Sequence, residues 1–213
     1  MKIIIALIII IIALLCVVFH LSNKPVSIEN DYTSLDTSGY PIQFSDISEE
    51  SITFASNNLN LEFSPIAKYT ITAKVVSKKK YSKGWDAKIS PYDLALAWGN
   101  LAELHNKKYI KYNQILRFYF YEYSAECPFD KIYISAHSSN NHIIPANKNI
   151  YKAIKIIKKN YLIKLEGFLI NIKGKYKGGI VSWNSSLTRT DTGDGACELL
   201  YVKEVRVGSK IYR

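Results

Sequence analysis

Arginine is almost missing from this chain. Of its 28 basic residues, only Arg117, Arg189, Arg206 and Arg213 carry a guanidinium. Specific phosphate recognition favours that planar fork over a flexible ammonium, so the scarcity argues against a dedicated nucleic-acid reader. Cysteine is as sparse, at Cys16, Cys127 and Cys197, which excludes paired-Cys zinc motifs. No strand, glycine loop and helix occur in the order a nucleotide site needs: Gly174, Gly178 and Gly179 lie among lysines at an apparent hairpin. A calcium loop is excluded by the missing oxygen ligands and closing Glu. No repeat of solenoid length is visible.

Positive charge is missing from one region in particular. Between Pro25 and Ala67 there is no Lys or Arg, only Glu29, Asp31, Asp36, Asp46, Glu49, Glu50 and Glu62. That region carries −7 of a whole-chain net charge of +10, so the positive excess sits in the remainder, concentrated at Lys78, Lys79, Lys80 and Lys83 and again at Lys148, Lys152, Lys155, Lys158 and Lys159. Such clusters draw anionic partners, although AT-rich coding would produce the same abundance of Lys, Ile, Asn and Tyr.

Charge is also absent from Ile3 to Phe19, and with Leu21 this apolar run approaches the roughly 20 residues that cross a bilayer as a helix. A cleaved signal peptide would end in small residues, whereas Val17, Val18 and Phe19 are bulky. Leu14 and Leu15 before Cys16 disfavour lipidation. Lys2 favours a cytoplasmic start, so the expectation is a single-pass protein of the bacterial inner membrane with its C-terminal domain outside the cytoplasm. An oxidising compartment there could join Cys127 and Cys197 in a disulfide; the alternative is two small residues that never meet.

The chain divides into an anchor at 1–24, an acidic polar tether at 25–39 and one domain at 40–213. Ile66–Val76 alternates apolar and polar residues with the period of a half-buried strand. Further strands are expected at Ile115–Tyr123, Lys131–Ser135, Tyr161–Ile172 and Glu198–Val207. Two helices interrupt them. One begins at Ser90, with Pro91 at its first position and Leu94, Trp98 and Leu101 on one face; the other spans NKNIYKAIKIIKK, with Ile150, Ala153, Ile154 and Ile157 as its apolar stripe. The expected class is β-rich α+β, a small barrel-like sheet with two short helices, in the manner of the oligonucleotide/oligosaccharide-binding (OB) fold, preceded by one transmembrane helix.

Two polar blocks carry the candidate chemistry. In SAHSSNNHIIPA, His137 and His142 suit general acid/base work and Asn141 or Asn140 could hold a charged intermediate. A metal is weakly indicated, because helical His pairs at four residues are the stronger signature and His105 is the sole further candidate. The plain alternative is an ordered loop before a helix, with Pro145 fixing its exit. In WNSSLTRTDTGDGACEL, Trp183, Ser185, Ser186, Thr188, Arg189 and Asp191 place hydroxyls beside one guanidinium, as an anion site requires, while Asp191 to Gly195 reads equally as a turn. Asp191–Thr192–Gly193 lacks the apolar strand that precedes an aspartic-protease Asp. Asn184–Ser185–Ser186 fits a glycosylation acceptor by pattern alone.

Taken in order, ISPYDLALAWGNLAE, SAHSSNNHIIPAN, LIKLEGFLINI and WNSSLTRTDTGDGACELLYV resemble the successive blocks of a family of uncharacterised bacterial proteins, commonly membrane-anchored or exported. The resemblance implies no activity, no cofactor and no catalytic residues. The functional expectation is a membrane-anchored envelope module that binds an anionic polymer or an envelope protein, nucleic acid being disfavoured. The alternative is a small hydrolase using His137 and His142, with Arg189 holding negative charge.

Overall fold

The computed structural model describes residues 2–103, 109–188, 193 and 195–213, those of 1–7 and 20 without side chains where they are included. The chain opens with α1 (Lys2–Ser22), a helix whose large apolar side chains from Ile8 to Leu21 stand exposed. Among the described residues no helix is long and apolar enough to cross a membrane. Short strands β1 (Glu29–Asn30), β2 (Ile42–Phe44) and β3 (Ile52–Ser56) lead into β4 (Leu59–Lys80). Next come α2 (Asp86–Ile89), β5 (Tyr92–Ala97), α3 (Asn100–Glu103), the hairpin of β6 (Ile110–Ile115) and β7 (Phe118–Tyr123), and α4 (Lys131–Ala136). After β8 (Ser138–Pro145) and α5 (Lys148–Ile156) the chain ends in β9 (Leu162–Tyr176), β10 (Gly179–Trp183), β11 (Glu198–Val207) and β12 (Lys210–Tyr212).

This is a β-rich fold with a large mixed sheet. Strand β4 pairs with β5, β5 with β8, β8 with β11 in parallel, β11 with β9, and β9 again with β4. The extra residue that shifts register between Pro65 and Ala67 changes the face that β4 presents. Before it, Leu59, Leu61 and Phe63 join a cluster with Ile144, Phe168 and Leu199. Beyond it, Ala67, Tyr69, Ile71, Ala73 and Val75 enter the main core with Leu94, Leu96, Leu165 and Val205. Helix α5 closes that core with Ile150, Ala153 and Ile154, all without solvent exposure, and Asn147 caps it by accepting from the N–H groups of Asn149 and Ile150, each at 2.9 Å.

Several expectations are corrected. The helix read from Ser90 onward is strand β5, whose six residues are all buried. It lies between β4 and β8, and a strand covered on both faces reads as an unbroken apolar run without the two-residue period. Lys131–Ser135 is helix α4, because Asp130 accepts from the N–H of Tyr133 at 2.7 Å and caps it. The strand read through Ile115–Tyr123 is broken by a tight turn, with Leu116 and Arg117 at φ 50° and 72°. The histidine block is no loop: Ser138–Pro145 is strand β8, paired on both sides. Residues 25–39 are no free tether either. Strand β1 pairs with β12, the carbonyl of Thr37 accepts from the N–H of Gly99 at 2.7 Å, and the buried guanidinium of Arg206 grips Asp31 and Thr33. Cys127 and Cys197 are not joined, so the disulfide expected as one of two outcomes is not formed. Among the described residues there are five helices, α1 included, where three were read from sequence.

Candidate functional site

Where β5 and β8 run side by side, Asp93 stands opposite His142 in the ladder. Neighbours at this spacing share a face, and His142 Nδ1 lies 2.9 Å from Asp93 Oδ1. The same oxygen accepts from Arg117 Nη1 at 2.6 Å. Arg117 reaches it from the tip of the β6–β7 hairpin, where its Nε donates to Asp86 Oδ2 at 2.9 Å and its Nη2 to the carbonyl of Ser90 at 2.9 Å. Its guanidinium plane lies 3.8 Å from the centre of the Tyr81 ring. The Arg117 N–H also donates to the Tyr81 hydroxyl at 3.1 Å, so the left-handed backbone at Arg117 is held from both ends. Burial, with the Asp93 charge second, pushes the Tyr81 phenol up to about 12.

A line of polar contacts extends this network along β8. Gln114 Nε2 donates to Asn140 Oδ1 at 2.7 Å, Asn140 Nδ2 donates to the carbonyl of Arg117 at 3.0 Å, and the Tyr119 hydroxyl meets Ser138 Oγ at 3.0 Å. Burial pushes the Tyr119 phenol well above its ordinary value. Trp183, at the end of β10, covers His142 with ring centres 4.6 Å apart. Asp93, Asn140 and His142 are 0, 2 and 3 % exposed, so this face of β5 and β8 is sealed by the chain's own hairpin.

The two histidines do different things. His137, also buried, ends α4, stacks on Tyr133 with ring centres 3.8 Å apart and places Nδ1 3.0 Å from the Tyr133 carbonyl oxygen. Tyr40 and Trp98 flank it. Asn141 donates to Ser139 Oγ at 3.0 Å. The structure therefore does not gather His137, His142 and Asn141 around one accessible centre. In the second block, Ser185 Oγ accepts from the N–H of Leu199 at 3.0 Å, and Ser186 Oγ accepts from the N–H of Thr188 at 3.0 Å. These hydroxyls brace their own loop. Arg189, Asp191 and His105 lie outside the described residues. Among the described residues no group of three His, Cys, Asp or Glu side chains could hold a metal ion.

Sequence reasoning missed Asp93, Arg117 and Asp86. A usable signal was present: one carboxylate inside the apolar run YDLALA, and one of only four arginines inside an aromatic strand. It also placed Lys78 on a basic surface. Lys78 Nζ instead turns inward, donating to the carbonyls of Ile154, Lys155 and Ile157 at 2.8, 3.0 and 2.9 Å, where it caps the C-terminal end of α5.

The lysines that do face outward lie on and just beyond α5, where Lys148, Lys155, Lys158 and Lys159 are exposed. Their position relative to α1 is fixed by two residues. Asn149 accepts from the N–H of Val26 at 2.8 Å and donates to its carbonyl at 2.9 Å, and Lys152 Nζ donates to the carbonyl of Ser22. No protein family, curated protein or solved structure matches this chain.

Proposed function

We propose that this is a membrane-anchored binding module of the bacterial envelope whose outward lysine row takes an anionic partner. The observation that carries the reading is the junction at Asn149 and Lys152, which sets the row beside the end of the exposed apolar helix α1. An apolar helix with no core of its own to enter suits a lipid surrounding, and Lys2 orients the folded domain outside the cytoplasm. A basic row at such an exit gains roughly 1 kcal/mol per lysine near an anionic surface.

The cycle β4–β5–β8–β11–β9, with α5 joining β8 to β9, its third and fourth strands in chain order, forms a small barrel of the OB type on this reading. In that fold the second and third strands supply the usual ligand face. In this chain those strands are β5 and β8, and the β6–β7 hairpin fills the face with Gln114 and Arg117. That moves the partner to the α5 side, and fold analogy adds nothing about its identity. The hydrolase alternative has less support, because it needs accessible His137 and His142, which are 8 and 3 % exposed.

The test uses the full chain in nanodiscs of zwitterionic lipid, titrated with polyphosphate as the probe anion. The expected result is binding that weakens steeply with salt and is lost when Lys148, Lys155, Lys158 and Lys159 become Gln. Salt-independent binding, or binding unchanged in that variant, overturns the reading.

A further inference from the structure

A cleft of about 610 Å³ opens between β3, α2, the end of β8 and the start of α5, well within the range of small-molecule sites. Its walls are apolar. Phe54 stacks on Phe63 with ring centres 5.9 Å apart, Phe63 meets Tyr201 at 6.1 Å, and Ile89 and Ile144 complete the lining. Two cations, Lys88 and Lys148, belong to the same lining, and no carboxylate does. Lys148 is the first residue of α5, whose first turn holds no acidic residue. A cation there opposes the positive end of the helix dipole, an arrangement that a bound anion would relieve.

We infer that this cleft binds a single-chain amphiphile with an anionic head, a long-chain carboxylate or sulfate, its tail along Phe54, Phe63 and Ile144 and its head between Lys88 and Lys148. The combination selects this chemistry. A polyanion would leave the aromatic wall unused, and a neutral apolar ligand would leave Lys148 facing the positive end of α5 with no counter-charge, while Lys88, whose Nζ lies 5.1 Å from the centre of the Tyr176 ring, stands within the same lining. The cleft is separate from the sealed network around Asp93, and apart from Lys148 it shares nothing with the outward lysine row.

Calorimetry on the full chain in amphipol, with octanoate, decanoate and dodecanoate as probes and 1-decanol as the uncharged control, tests this. Burial of each methylene in the cleft is expected to tighten binding about four-fold. Decanol is expected to bind at least ten-fold more weakly than decanoate. Thr53→Trp fills the cleft from an exposed position on β3, so folding is not at risk, and it should weaken decanoate at least ten-fold while leaving polyphosphate binding intact. Lys88→Gln should weaken decanoate and leave decanol unchanged. Affinity that ignores chain length, equal binding of decanol, or full binding by Thr53→Trp overturns the assignment. A parent chain that binds decanoate but not polyphosphate leaves the cleft standing and removes the lysine-row reading instead.

Discussion

Arg117 Nη1 lies 2.6 Å from Oδ1 of Asp93, a carboxylate with no solvent exposure. A buried charge is tolerated when it is paired and hydrogen-bonded, and removing one partner leaves the other uncompensated. Arg117→Met is therefore expected to lower the unfolding free energy by about 3–5 kcal/mol. Arg117→Lys should restore little, since an ammonium cannot span Asp86, Asp93 and the Ser90 carbonyl while stacking on Tyr81. The Asp86 side chain is 28 % exposed where that of Asp93 is fully buried, and Asp86→Asn should cost less. Urea unfolding followed by tryptophan fluorescence measures all three, because Trp183 packs within this network. An Arg117→Met protein within about 1 kcal/mol of the parent would remove the network from the account of what holds the hairpin down.

Gly167 carries a different constraint. A Cβ built there would stand 1.9 Å from the Tyr201 carbonyl oxygen and 3.1 Å from the Val202 Cα, both backbone atoms of β11. Backbone cannot turn aside as a side chain can, so Gly167→Ala has to push β9 and β11 apart where they pair. The expected loss is about 1–3 kcal/mol or more, a fall in Tm of roughly 2–12 °C at this chain length. Gly39, with nothing within 4 Å of its Cβ position, is the control: Gly39→Ala should melt with the parent. Equal melting of the two variants would show that β9 and β11 adjust to the added methyl.

What the sequence made legible followed local rules. Helix α5 could be read because its cap Asn147 and its stripe Ile150, Ala153 and Ile154 lie within a few residues of one another, and β11 because Glu198–Val207 is rich in branched residues with turn chemistry on both sides. Strand β5 could not be read, since Leu and Ala favour helix and its neighbours on both faces come from distant segments. The same limit governs the candidate site. His142 drew notice by residue type, but Arg117 lies 24 residues from Asp93 in the chain, and only the pairing of β5 with β8 and the fold-back of the hairpin bring the three together. The serines of WNSSLT looked like free donors because their acceptors and donors, such as the Leu199 N–H, arrive from across the loop.

Lys78 provides a pH signature. Burial pushes its amine down to about 8, from an ordinary value of 10.5. Between these two values the unfolded chain binds more protons than the folded one, so this group makes stability rise with pH through that window; below about 8 its destabilising effect is complete. Three carbonyls at the end of α5, and the Tyr92 ring 4.5 Å from Nζ, act in the opposite sense by favouring the charged form. The comparison with Lys78→Met isolates the group, because the other lysines and tyrosines titrate in both proteins. The unfolding free energy of the parent minus that of the variant is expected to climb from pH 8 to pH 10.5 and to stay level below pH 8. A difference level across the whole range would mean that the carbonyls and the ring offset the burial, and that Lys78 stays charged as a cap on α5 at every pH where the protein folds.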